Sequence, residues 1–287
     1  MYIYFHGTMY SCPDNITACS GKVYTIGDEL GKGGNGIVFT ASDIYGDEFA
    51  IKFLISNDTR RKKRFEREIK ILQENSASES WGMGLLTYKD SGECELTYKN
   101  NKNKYLFVVT EKCDNNLFKY VQENHPFVYS KYAGQFLNLA RGLQSLHSRN
   151  IIHRDIKPEN ILISGDNWII ADFGLCYEDD IQDEISEITR DGEIVGPKLW
   201  MSPEASNNLV DNTIKPSNCS DIFQMAAVFW FVINKTIPVG IVNEEDWQSD
   251  DDNFKNLILR SLKYNKSKRP QNGDEFFKEL ERIIEQE

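Results

Sequence analysis

From Tyr24 to Lys52 short apolar runs, IVFTAS and EFAIKFLI among them, are separated by Gly-rich and Asp/Gly turns, and this pattern predicts an antiparallel sheet. The stretch RRKKRFEREIKILQEN changes period: Phe65, Ile69 and Leu72 recur at helical spacing with charges elsewhere, which predicts one helix among the strands. Further strands are expected at Leu85 to Tyr88 and at Tyr105 to Thr110, with the Lys- and Asn-rich text between them forming a protruding hairpin turn. After Cys113 helical patterns dominate, in YAGQFLNLARGLQSLHS, SDIFQMAAVFWFVI, FKNLILRSLKY and DEFFKELERIIEQ. The change of period falls near residues 111 to 114. It divides the chain into an extension without sustained periodicity (1–22), a small strand-rich part (23–111) and a larger helical part (112–287), an α+β organisation.

A chain of 287 residues is long for one compact core, so two cooperating lobes are allowed. The formal net charge of −11 argues against nucleic acid as the main partner, because phosphate backbones require clustered Lys and Arg. The longest apolar run, Met225 to Ile233, is too short to span a bilayer, and the N-terminal text has no basic stretch followed by an apolar one. Cys12, Cys19, Cys94, Cys113, Cys176 and Cys219 lack metal-ligand spacing, which predicts reduced thiols and a cytoplasmic location.

Gly31, Gly33 and Gly36 in LGKGGNGIVF have the spacing G-x-G-x-x-G, and glycines let backbone N–H groups approach phosphates closely. A dinucleotide fingerprint would open a helix at this point; here a strand-like run follows, so the glycines are expected in a hairpin. Lys52, one strand later, places an ammonium within reach of phosphates, and Glu68 on the predicted helix is its expected partner, with Glu66 as the alternative. In IIHRDIKPENILI and IIADFGL, Asp155, Lys157, Asn160 and Asp172 fall between strand-like runs. Phosphoryl transfer needs a carboxylate to orient the attacking hydroxyl, cations at the transferred group and oxygen ligands for magnesium, and these four supply each part.

With these residues in order, the chain resembles the protein kinase family from about Tyr24 to the C-terminal helix. The resemblance implies a two-lobed fold with ATP under the glycine loop and a protein as substrate; net charge and the short apolar run make neither nucleic acid nor membrane an expected partner. It implies that Asp155 is the catalytic base, that Lys157 stabilises the γ-phosphate, and that Asn160 and Asp172 hold Mg2+. It places Thr110 at the gatekeeper position, gives Glu111 and Cys113 backbone contacts to adenine, and adds Val38 and Ala50 to the nucleotide-binding set. Glu204 in MSPEA should pair with Arg269, and Asp221 should steady the catalytic loop.

Lys157 within HRDIKPEN is the Ser/Thr-kinase form of that loop, so transfer to serine or threonine, including autophosphorylation, is expected. Pro197 and Trp200 in GPKLWMSPE are similar to tyrosine kinases, which keeps dual-specificity or tyrosine-directed transfer as an alternative beside a pseudokinase-like scaffold. Arg154 before Asp155 implies control by phosphate on the segment that follows, with Thr189, Ser186 and Tyr177 as acceptors or its many carboxylates as substitutes. The basic run from Arg60 to Arg64 reads as a solvated helix face, or as a grip on that acidic segment; NEEDWQSDDDN reads as a solvated loop, or as a selector of basic substrates.

Overall fold

The computed structural model describes residues 1–33, 36–77, 84–178, 199–249 and 251–286. The chain forms two compact units, Met1–Ser78 with Leu86–Cys113, and Glu79–Leu85 with Asp114–Glu287.

The first unit is an eight-stranded antiparallel sheet with one long helix. Its strands are β1 (Tyr2–Phe5), β2 (Thr8–Ser11), β3 (Asn15–Thr17), β4 (Val23–Gly33), β5 (Gly36–Ser42), β6 (Glu48–Phe53), β7 (Tyr88–Tyr98) and β8 (Asn101–Glu111), in the order β1-β2-β7-β8-β6-β5-β4-β3. Strand alternation explains the core: Ile37, Phe39 and Ala41 on β5 and Ile51 and Phe53 on β6 point to one face, where they pack with Ile16, Tyr24, Phe107 and Val109. The helix α1 (Thr59–Ala77) begins where the Asp58 carboxylate accepts the N–H groups of Arg60 and Arg61, each at 3.0 Å.

Two sequence expectations are revised here. The text from 88 to 111 is one long hairpin, with strand structure running through the Lys/Asn-rich stretch to a turn at Lys99 and Asn100, which have φ of 44° and 68°. Two successive positive φ values match the right-handed strand twist, so the expected hairpin forms with its turn confined to these two residues and its strands longer than expected. Residues 1–22 are also sheet: Ile3 and Phe5 enter the same core while Tyr2 and Tyr4 stay exposed. Aromatics on both faces of a four-residue strand conceal its alternation. Cys12 lies against Cys94, with sulfurs 4.0 Å apart in the core, whereas Cys19, its nearest cysteine in sequence, is exposed.

The second unit is mainly helical, with α2 (Leu117–Asn124), α3 (Tyr129–His147), α4 (Pro203–Asn207), α5 (Asn218–Asn234), α6 (Asp252–Ser261) and α7 (Gly273–Glu285). Its short strands are β9 (Asn115–Asn116), β10 (Ile151–Ile152), β11 (Ile161–Ser164), β12 (Asn167–Ile170) and β13 (Tyr177–Glu178); β9, β11 and β12 form one sheet and β10 pairs with β13. The apolar run Met225 to Ile233 is buried on every side within α5, and among the described residues no helix is long and apolar enough to cross a membrane. Helix α7 packs so closely on α3 that a Cβ at Gly273 would lie 2.6 Å from the Gln144 backbone nitrogen. Trp168 on β12 anchors the centre, with the rings of Tyr132 and Phe136 of α3 each 5.6 Å away. In the acidic stretch Asp251 caps α6 by accepting the Phe254 N–H, so part of that charge is local structure.

Candidate active site

In the first unit the sheet register gathers the predicted residues on the face opposite the core. Gly31 pairs with Val38, Val38 with Lys52, and Ala50 with Thr110, and directly paired residues share a face. Lys52 Nζ donates to both carboxylate oxygens of Glu68, at 2.7 and 2.9 Å. Glu68 is buried on α1 and Glu66 is exposed, so the partner is Glu68. Gly36 is required by its backbone: it has φ of 146°, and a Cβ there would sit 2.2 Å from the Phe53 carbonyl oxygen. At Gly31 and Gly33 no described atom lies within 4 Å of an added Cβ, so packing within this unit does not impose glycine there.

Glu111 ends β8, and its side chain takes the Thr87 N–H at 2.8 Å while its own N–H goes to the Thr87 carbonyl at 3.2 Å. The Thr110 hydroxyl donates to the Glu111 carbonyl at 3.2 Å, and Cys113 is half-buried.

The second unit presents Asp155, Lys157 and Asn160 as one cluster on the loop between β10 and β11. Lys157 Nζ bonds both Asp155 carboxylate oxygens, at 3.1 and 3.0 Å. Asn160 Nδ2 donates to Asp155 Oδ2 at 2.7 Å and to the Asp155 carbonyl at 2.9 Å, which turns its Oδ1 away from them as an acceptor. Burial pushes the Asp155 carboxyl above its ordinary range against the pull of Lys157, and the nearby Asp172 adds to the rise. Asp172 itself has left-handed backbone, φ 61° and ψ 74°, ahead of the turn Phe173–Leu175. The amide oxygen of Asn160 and the carboxylate of Asp172 are hard donors of the kind magnesium takes, so the residues present fit that ion.

The loop is fixed from below by α5. Asp221, with no exposure, accepts the N–H of His153 at 2.7 Å and of Arg154 at 2.8 Å. His153 Nδ1 accepts the Asp155 N–H at 3.3 Å, so its Nε2 carries the proton and donates to the Ala171 carbonyl at 3.2 Å. Burial holds this imidazole below its usual pKa, in the neutral form that these bonds need.

Farther along, Arg269 meets Glu204 in two bonds of 2.8 and 3.0 Å, and the Ser220 hydroxyl adds a third at 2.8 Å. Burial raises the Glu204 carboxyl, but the Arg269 guanidinium outweighs it and the net shift is downward. Trp200 is buried, its ring 5.5 Å from Phe231. Pro197, Thr189 and Ser186 lie outside the described residues.

Sequence reasoning missed His147, which donates from Nε2 to Asp221 at 3.0 Å and accepts the Gly273 N–H at Nδ1, tying α3, α5 and α7 at one ring. It also missed Gln224, a polar side chain within the apolar text of α5. That polarity, three residues after Asp221, was the available signal.

A family model described as a protein kinase domain matches residues 24–286. A probable serine/threonine-protein kinase of Corynebacterium efficiens is 28% identical over 222 residues, covering 75% of this chain and 31% of that protein. Another, of Clostridium acetobutylicum, is 24% identical over 282 residues, covering 91% of this chain and 40% of that protein. A serine/threonine-protein kinase of Schizosaccharomyces pombe is 30% identical over 191 residues, covering 64% and 29%. The chain thus spans about a third of the length of the curated relatives it matches.

Proposed function

The chain belongs to the protein kinase domain family, and from that premise we propose that it transfers the γ-phosphoryl group of ATP to serine or threonine hydroxyls of proteins, itself included. The observation that carries the reading is the Asp155 carboxylate, buried and held by Lys157 and Asn160. The names of the relatives support serine and threonine as acceptors.

In the proposed mechanism Asp155 accepts a hydrogen bond from the substrate hydroxyl and takes its proton as the oxygen bonds to the γ-phosphorus and the bond from that phosphorus to the β,γ-bridging oxygen breaks, with ADP as the leaving group. Its raised pKa makes it a better base than an exposed aspartate. Lys157 keeps the carboxylate oriented and brings positive charge to the transferred group. Asn160 and Asp172 would hold magnesium, which this family generally uses and which would supply neutralising charge to the phosphate oxygens. Lys52, aligned by Glu68, takes the α- and β-phosphates, and the backbone N–H groups of the glycine strands at Gly31, Gly33 and Gly36 cover the phosphates. Val38, Ala50 and Thr110 form the apolar contact for adenine, and backbone groups at Glu111 and Cys113 its polar edge. The reading also places the chain in the reducing cytoplasm, in keeping with six cysteines that are not joined in disulfides.

Labelled ATP with magnesium and a basic carrier protein, followed by phosphoamino-acid analysis, tests the proposal. Phosphoserine and phosphothreonine are expected. Phosphotyrosine alone would replace the acceptor class, and nucleotide binding without transfer would replace catalysis with a scaffold role.

A further inference from the structure

Helix α5 carries Asp221 and, three residues later, Gln224, so both side chains leave one face of the helix. Asp221 takes the N–H groups of His153 and Arg154. Gln224, 2% exposed, takes the next groups along the loop: its Oε1 accepts the Ile156 N–H at 3.1 Å, and its Nε2 donates to the Arg154 carbonyl at 3.3 Å. These two bonds straddle Asp155. They also fix the amide, because a flip would set oxygen against oxygen and N–H against N–H.

The peptide group on which Gln224 acts is a strained one. Arg154 has φ of 66°, a left-handed conformation unfavourable for a residue with a side chain, and such conformations persist only where the surroundings over-determine them. Asp221 holds the nitrogen side of Arg154 and Gln224 its carbonyl side. An amide offers a donor and an acceptor on a single planar head, as these two bonds require. Asparagine is a methylene shorter, and glutamate has no donor when ionised.

We propose that Gln224 is a positioning residue for phosphoryl transfer: by holding the peptide groups on both sides of Asp155, it sets the direction in which that carboxylate meets the substrate hydroxyl. The inference rests on the kinase reading above and deepens it. Gln224 touches no reacting atom, so its effect belongs in turnover and not in nucleotide affinity.

The test compares wild type, Asp155→Ala and Gln224→Met, a replacement of similar volume without either hydrogen-bonding group. Transfer of labelled phosphate is measured per folded molecule, together with the KM for ATP, the melting temperature and hydrogen exchange at the Ile156 amide. For Q224M, kcat is expected to fall about 10- to 100-fold, with KM for ATP within about twofold of wild type and faster Ile156 exchange. Should Q224M not fold, Gln224→Glu keeps the volume and the acceptor for the Ile156 N–H, and a kcat below wild type with unchanged KM is expected. A folded variant with wild-type kcat overturns the proposal, as does a loss that only follows the unfolded fraction. If the wild type itself transfers nothing, the kinase reading fails and this role falls with it; wild-type transfer beside an unaffected Q224M removes the positioning role alone.

Discussion

Two ion pairs, one in each unit, join a basic side chain to a carboxylate through two hydrogen bonds, yet they are built for different ends. Arg269 has no side-chain exposure, and all five of its N–H donors are used: Nε on the Lys263 carbonyl, Nη1 on Glu204 and the Cys219 carbonyl, Nη2 on Glu204 and the Tyr264 carbonyl. Nothing is left with which to bind a ligand. Lys52 faces Glu68 with its side chain 18% exposed, and its ammonium is a compact charge on a flexible stem, suited to holding a carboxylate while meeting an anion. Saturation marks structure; retained access marks chemistry.

The largest stability effect should therefore come from Arg269. Arg269→Met leaves the Glu204 carboxylate buried without its cation, and breaking such a pair costs about 3–5 kcal/mol. Urea unfolding measures this, and a loss below about 1 kcal/mol would place the pair among surface bridges. Lys52→Met should lower kcat about 10²- to 10³-fold; it too leaves a buried carboxylate without its cation, but its loss of stability should be smaller, because Arg269→Met also strips three carbonyls of their donor. A Lys52→Met protein that unfolds like Arg269→Met would erase the contrast.

Acid should sharpen the comparison further. The folded pKa of His153 is lowered, so the unfolded chain binds its proton first and stability declines as pH falls below the ordinary histidine value of 6.5. The folded pKa of Glu204 is also lowered, so its contribution is present above the ordinary value of 4.5 and is lost as pH falls through its folded value. Asp155, whose folded pKa is raised, acts in the opposite sense and offsets part of the loss once it takes its proton. Unfolding midpoints recorded from pH 7 to pH 3 check this; Glu204→Gln should flatten only the lower part of the curve. At the small end, Lys102→Ala removes an exposed bridge to Glu95 on the β7–β8 hairpin, and the midpoint should stay in place.

The second unit's loop was legible because its chemistry is compressed into HRDIKPEN and DFG, where Asp155, Lys157, Asn160 and Asp172 are close in sequence. Lys52 and Glu68 were legible through strand and helix periodicity, which left Glu66 open until burial decided. Less visible was what depends on long-range partners. Arg269 could be paired with Glu204, but its carbonyl partners arise from chain reversal near Tyr264. His147 and Gln224 sat in helical text that reads as core, because periodicity reports which face is buried and not which buried atoms find polar partners. The first strand escaped because Tyr2 and Tyr4 alternate with Ile3 and Phe5, so both faces look apolar.

The most direct measurement is rapid-quench transfer of γ-labelled phosphate from ATP by wild type and Asp155→Ala, with ATP affinity determined for both. The account predicts that Asp155→Ala binds ATP as wild type does and loses transfer by about 10³-fold or more. Transfer at the wild-type rate by Asp155→Ala would contradict it, because the carboxylate at the centre of the site would then have no part in the chemistry.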